Sequence, residues 1–576
     1  MRVRLVPLTA FVFALACGGS AAGPRSSPAL DVAVRSPAPP PERISPPRAS
    51  ESFAVLRDRV MGELLADEPS VARDLGLHDE YDGKVAPLSA DAIAARVGRL
   101  RQSAHDLAAV DTSSLDPDDA LDRMELDSWV ASNLFWLVDA DIFHRVPQAY
   151  EPLFSVNVYL DRDYAPLEER ARRLLAQEEA ALSEVKHIRE NLMPPLSRPV
   201  TEVAARNMAG FASYLRGDVA KTMGGLGDDR QRLRFATTNE ALAKEADRFA
   251  AWLKTEATRG DQSHVLGPQR YAKLLRVQEG LTLSLEEFAR QNEDNLAANA
   301  KAYEALSERV KEKPMREEEL FATATQLVKE TRTFVVDHAI VDLASDDGAI
   351  VRETPPYQRW NSASIEMSGP FEAARTAFFQ LTRPERSWPA KERQAYLGSI
   401  GDLVGTTIHE VYPGHFVQGR WAARAPTRVQ KAYASYSFVE GWAHYAEEML
   451  IDEGFGRDDP ANQLAMLHGA LLRNCRFAAS VAIHTQGVTV EQVEKRFVTD
   501  CHQDLATAHE QAVRGTFDPG YFAYTLGKLQ ILALRDEAKR RLGERFSLRR
   551  FHDAILSHGS PPLALIHDRV IAEIGP

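Results

Sequence analysis

The sequence predicts a mainly α fold, a large helical body with a small β-sheet near a short polar motif in its last third. Three observations carry this. From Phe53 onward apolar residues recur at spacings of three and four, as in Leu56-Val60-Met61-Leu64-Leu65. Helix breakers fall between the runs, at Met193-Pro194-Pro195, Gly224-Gly225-Leu226-Gly227 and Lys313-Pro314. Strand signals are sparse, and Ala363 to Ser368 is the best of them.

The chain begins with an address. Arg2 and Arg4 precede an apolar run, Leu5 to Ala16, which reads as a signal peptide over residues 1–16. Small residues before Cys17 resemble a lipobox with Ala14 in place of the usual Leu, so Cys17 is a lipidation candidate. Residues 17–52 then form a linker. Gly18 to Ser50 holds 8 of the 32 prolines and no aromatic residue, too little apolar surface to fold. The expected location is the cell envelope, with the membrane reached only through the anchor at Cys17.

Residues 53–576 read as one helical body, an N-terminal helical part to about residue 340 and a motif-bearing part from about 341. Long amphipathic runs cover Leu167 to Leu192, Ala241 to Leu253 and Leu281 to Leu306. The glycine cluster at 224–227 lacks the Gly-Lys-Ser/Thr ending of a phosphate loop and reads as a turn. Acidic residues number 82 against 69 basic, a net charge of −13 that losing Arg2 and Arg4 takes to −15. Such a balance argues against nucleic-acid binding. Three cysteines exclude a disulfide scaffold; Cys475 and Cys501 could pair after export or stand as two buried thiols.

The chemistry-bearing segment is His409-Glu410-Val411-Tyr412-Pro413-Gly414-His415. In a zinc-hydrolase helix two histidines four apart bind the metal, and the glutamate between them works on water. Here the histidines are six apart, about 240° round a continuous helix, where they cannot share an ion. Pro413 offers a way out. It has no N–H for the carbonyl of His409 and crowds that turn, and Gly414 tolerates unusual backbone. The helix should kink or end there, letting His415 swing back towards His409.

A second set lies at Glu440-Gly441-Trp442-Ala443-His444-Tyr445-Ala446-Glu447. On a helix Glu440, His444 and Glu447 share one face among aromatics, an expensive arrangement without a cation. Glu440 would supply the third protein ligand of a His₂Glu zinc site. The plain alternative, glutamates on a solvated helix face, is weighed against this.

Both segments resemble the bacterial "domain of unknown function 885" family, marked by HExxPGH and EGWAxYxE and grouped with zincin-like metallopeptidases of the gluzincin type. The resemblance runs from about Phe53 to the end, including Val71 to His78 and Phe551 to Leu556. It implies zincin-like metal-binding helices, with Zn²⁺ on His409, His415 and Glu440 and Glu410 as general base and acid. Glu447 would orient a ligand from behind; His444 stands where the family tolerates an apolar residue and is not a required ligand. Arg476 to His484 matches a further family pattern, with Ser480 and Ala482 replacing its Asp and Gly. Pro519 to Leu529 matches another, keeping Tyr524 and Gly527. Tyr524 and His484 are therefore candidates to hold an oxyanion. Glu510 and Arg514 match a family acid–base pair and read as a helix brace.

The expectation is an exported zinc-dependent hydrolase, a metallopeptidase acting on a peptide or small amide. The rivals are a tethered binding or assembly lipoprotein with a vestigial or structural metal site, and a metal-dependent amidase or esterase for non-peptide substrates.

Overall fold

A computed structural model describes residues 52–355, 362–373 and 376–575. The signal peptide, Cys17 and the linker up to residue 51 lie outside the described residues.

Helices begin where the sequence supplies caps. After α1 (Phe53–Asp67), α2 (Ala90–Ala108) starts at Ser89, whose hydroxyl accepts the Ala92 N–H. Asp116 and Pro117 start α3 (Pro117–Leu134). The Leu167–Leu192 run divides into α4 (Leu167–Glu184) and a short helix Lys186–Asn191. α5 (Arg198–Tyr214) lies along α6 (Asp229–Ala257), which opens with a capping box between Asp228 and Gln231. α7 (Pro268–Glu279) and α8 (Leu285–Ser307) complete this half, and α9 (Leu320–Asp337) follows.

Among the described residues two large hydrophobic cores dominate, with smaller clusters beside them. The first gathers Leu56, Trp129, Tyr159, Leu242 and Phe288, and takes Phe477 and Phe522 from the far end of the chain. The second runs from Met315 to Ile574 and takes Leu121 from α3. The cores thus divide nearer residue 310 than 340, and α9 packs with the motif-bearing part.

Among the described residues the sheet has three strands, β1 (Ala349–Glu353), β2 (Ala363–Glu366) and β3 (Ala377–Leu381), in the order β1-β3-β2. β1 pairs parallel to β3, and β2 antiparallel with Ile365 opposite Phe379. The alternating burial of β2 is what made it legible. Central β3, Ala-Phe-Phe-Gln-Leu, is buried at four of five positions and has no polar alternation to read.

β2 packs on α10 (Ile400–Glu410), which is followed by α11 (His415–Ala422), α12 (Tyr436–Asp452), α13 (Pro460–Gln486), α14 (Val490–Cys501), α15 (Leu505–Gly515) and α16 (Ala523–Leu542). Cys475 and Cys501 form a disulfide between α13 and α14. α12 and α16 touch backbone to backbone: a Cβ at Gly441 would lie 2.4 Å from the Gly527 Cα, and one at Gly527 1.8 Å from the Ser437 carbonyl oxygen. Among the described residues no helix is long and apolar enough to cross a membrane.

Candidate metal centre

The helix carrying His409 stops where proline chemistry says it should. α10 ends at Glu410, the Tyr412–Pro413 peptide is cis, and α11 restarts at His415. Gly414 sits against the end of α10, its N–H donating to the Ile408 carbonyl at 3.0 Å. A Cβ there would fall 1.9 Å from the His409 carbonyl oxygen, so only glycine fits. The reversal brings the His409 and His415 rings to 4.7 Å between centroids.

α12 completes the cluster. Glu440 Oε2 lies 3.5 Å from His409 Nε2 and 3.6 Å from His415 Nε2, and one ligand atom from each residue lies within 4.8 Å of the others. Ligands about 2.0–2.2 Å from a tetrahedral zinc ion stand roughly 3.3–3.5 Å apart, close to these separations. Among the described residues Glu440 Oε2 is buried without a hydrogen-bond partner, an acceptor that a cation would satisfy. The donor set therefore fits a zinc-type ion. Burial opposes charge on both partners, yet the two histidines hold the Glu440 carboxyl well below its ordinary range.

Glu447, two turns along α12, fixes His409 from behind. Its Oε1 lies 2.6 Å from His409 Nδ1 and 2.7 Å from an Arg473 Nη2. With Nδ1–H donated to Glu447, the Nε2 lone pair faces Glu440 and the cluster. Arg473 and the histidines keep Glu447 ionised despite burial, far below the usual carboxylate range. His444 is buried outside the cluster; its Nδ1 comes no nearer than 3.8 Å to Glu447, and burial beside Lys528 and Arg473 holds it neutral. Glu410, one residue beyond His409 at the end of α10, is partly buried.

Aromatic and late-sequence residues brace this arrangement. The Trp442 indole N–H donates to the Pro413 carbonyl at 2.9 Å, tying the second motif to the reversal in the first. Tyr445 donates to His552 Nε2 at 2.8 Å while His552 Nδ1–H reaches the Ile340 carbonyl at 2.7 Å. Burial keeps that imidazole neutral, pushed down to about 3.

Tyr524, at the start of α16, sits on the same side of the site. Its hydroxyl is 3.4 Å from that of Tyr436, which precedes Glu440 by one turn of α12. Sequence reasoning passed over Tyr436, since a tyrosine at a helix start carries no motif signal. Burial, with Asp518 and Tyr524 nearby, raises Tyr436 well above its ordinary value, so it remains a donor.

Two expectations change. His484 is not brought to the cluster: its Nε2 lies 2.8 Å from the Gly515 carbonyl and its ring stands beside His264 and Tyr271. The reason is helical rise. Arg473 touches Glu447, and His484 lies eleven residues further along α13, about 16 Å away. Burial leaves His484 neutral, pushed down to about 3, so it braces α13 against α15. Arg514 pairs with Asp518, four residues ahead at 3.1 Å, rather than with Glu510 four behind.

Comparison with known proteins agrees with this architecture. The model of a bacterial family, "Bacterial protein of unknown function (DUF885)", matches residues 69–570. No curated protein matches. Among solved structures the chain is similar to a candidate lipoprotein of unknown function from Shewanella oneidensis, at TM-score 0.76 and 22% identity, covering 91% of this chain and 100% of that one. It is also similar to a candidate lipoprotein from Colwellia psychrerythraea, at TM-score 0.73 and 16% identity, covering 91% of this chain and 98% of that one. At such identities these likenesses concern the fold, while the family match spans most of the sequence: the chain belongs to the bacterial DUF885 family.

Proposed function

We propose that this protein is an exported zinc-dependent hydrolase whose substrates are peptides. The observation that carries the reading is the Glu440 carboxylate standing 3.5 and 3.6 Å from two histidine nitrogens beside a glutamate, Glu410, that no purely structural site needs. His409, His415 and Glu440 would hold Zn²⁺, which when bound supplies electrophilic catalysis and makes water acidic enough to act as a nucleophile near neutral pH.

The chain's own residues do the rest. Glu410 accepts a proton from the attacking water and returns it to the amine that leaves. Tyr524 presents its hydroxyl to the oxyanion, with Tyr436 beside it. Glu447 and Arg473 keep His409 in the tautomer a ligand needs.

Export and lipidation at Cys17 belong to the same reading. It is supported by the signal-like residues 1–16, by the Cys475–Cys501 disulfide, which suits an oxidising compartment, and by the lipoprotein description of both solved relatives.

The test is a Glu410→Gln variant. It should keep about one equivalent of zinc and lose hydrolysis of a peptide library by roughly 10²–10⁴-fold. Full activity in that variant, or a purified protein that neither contains nor binds zinc, would overturn the reading.

A further inference from the structure

Beside the metal ligands lies a cluster with one member, Arg476, that the mechanism leaves unused. Three guanidiniums, Arg473 and Arg476 on α13 and Arg514 on α15, converge on Tyr436, Tyr521 and Tyr524. Two have carboxylates of their own: Arg473 pairs with Glu447 at 2.7 Å and Arg514 with Asp518 at 3.1 Å. Arg476 does not. Its Nε donates to Gln511 Oε1 at 2.8 Å, and that oxygen also accepts the Tyr521 hydroxyl. Among the described residues no carboxylate oxygen comes within 4.0 Å of it, and neither Nη nitrogen has a protein hydrogen-bond partner; Glu510 and Asp518 act on it only at longer range.

The guanidinium is nevertheless held in place. It stands 4.9 Å from the Tyr524 ring centroid and 5.1 Å from that of Tyr521. These contacts, with the Nε hydrogen bond, fix the plane while leaving the Nη edge free in a partly exposed position. A preorganised guanidinium with a free edge matches a carboxylate bidentately. It is also joined to the metal site, because Tyr524 lies between it and Tyr436, one turn from Glu440. Arg473, one turn earlier on α13, touches Glu447, so a substrate carboxylate held by Arg476 would lie near the ligands.

We propose that Arg476 binds a carboxylate of the substrate, making this a site for chains presented by their anionic end. The α-carboxylate of a C-terminus and the side chain of Asp or Glu share that chemistry. The inference rests on the hydrolase reading for its place in a reaction, but its binding test does not.

The experiment uses the zinc-loaded protein and N-acetylated tripeptide libraries made as free acids and as C-terminal amides, each with and without Asp and Glu. Hydrolysis is followed by mass spectrometry, and equilibrium binding is measured on Glu410→Gln. Free acids should be preferred over amides by about 30-fold, mainly in KM and binding; Arg476→Gln should erase the preference and Arg476→Lys restore part of it. Amides bound only when they contain Asp or Glu would assign the side-chain carboxylate instead of the terminal one. Zinc- and Glu410-dependent cleavage indifferent to any carboxylate overturns this inference and leaves the hydrolase standing. Binding of free acids that Arg476→Gln abolishes, without cleavage of any peptide, does the reverse. Neither binding nor cleavage overturns both. Should Arg476→Gln fail to fold, as judged by thermal midpoint and zinc content, the acid-to-amide ratio of the unmodified protein still decides.

Discussion

The indole N–H of Trp442 hydrogen-bonds the carbonyl of Pro413 at 2.9 Å, so the helix that supplies Glu440 also holds the turn that aims His415. That turn depends on Gly414. Gly414→Ala puts a Cβ 1.9 Å from the His409 carbonyl oxygen and must push the two histidines apart. The variant should fold with its helical content retained and bind zinc at least about 100-fold more weakly. Competition against a chromogenic chelator checks it, and wild-type affinity would contradict this account of the reversal.

Glu447 touches His409 but is not a ligand. Glu447→Gln should weaken zinc binding by about 10- to 100-fold, the range for a lost hydrogen-bond partner behind a metal-bound imidazole. Arg473→Gln should act in the same direction through the 2.7 Å pair, and the two losses should not add, because both work through one ring. A double-mutant cycle in zinc affinity measures the coupling.

With no cation present, burial opposes charge on His409, but Glu440 and Glu447 outweigh it and raise the imidazole from 6.5 to about 9. A raised folded value means that protonated His409 stabilises the zinc-free fold below about pH 6.5, and that contribution is lost as pH rises through about 9. Zinc needs the same ring neutral. Apparent zinc affinity should therefore climb about tenfold per pH unit over that window, and uptake near pH 7.5 should release about one proton. Calorimetry in buffers of different ionisation enthalpy counts it; zinc uptake with no proton release contradicts the assignment.

The Cys475–Cys501 bond closes a loop across 26 residues between α13 and α14. Chain-entropy arguments give such a bond about 3.5 kcal/mol. Replacing both cysteines by serine should lower the thermal midpoint, with zinc content unchanged because neither sulfur touches the metal ligands. The control is insensitivity of the double variant to reductant.

Much of the molecule was legible from residue order. Spacings of three and four, with breakers such as Lys313-Pro314 between the runs, mark where helices lie. Pro413-Gly414 announces a break, and the segments 409–415 and 440–447 carry every ligand of the cluster. Strands β1 and β3 escaped because the first has no buried position and the second is buried on both faces, so neither alternates as β2 does.

Residue order by itself therefore determined the helical class, the place where α10 must stop, and the residue types that make up the candidate cluster. All of these follow from local steric and hydrogen-bonding rules acting over a few residues. Tertiary structure decided the rest. It set Glu440 against two histidines on other helices and put Glu447 behind His409. It carried His484 about 16 Å from Arg473 along α13, away from the ligands. It left Arg476 between two tyrosine rings without a carboxylate of its own. Helical periodicity says which residues share a face, but what that face meets depends on packing between segments distant in the chain.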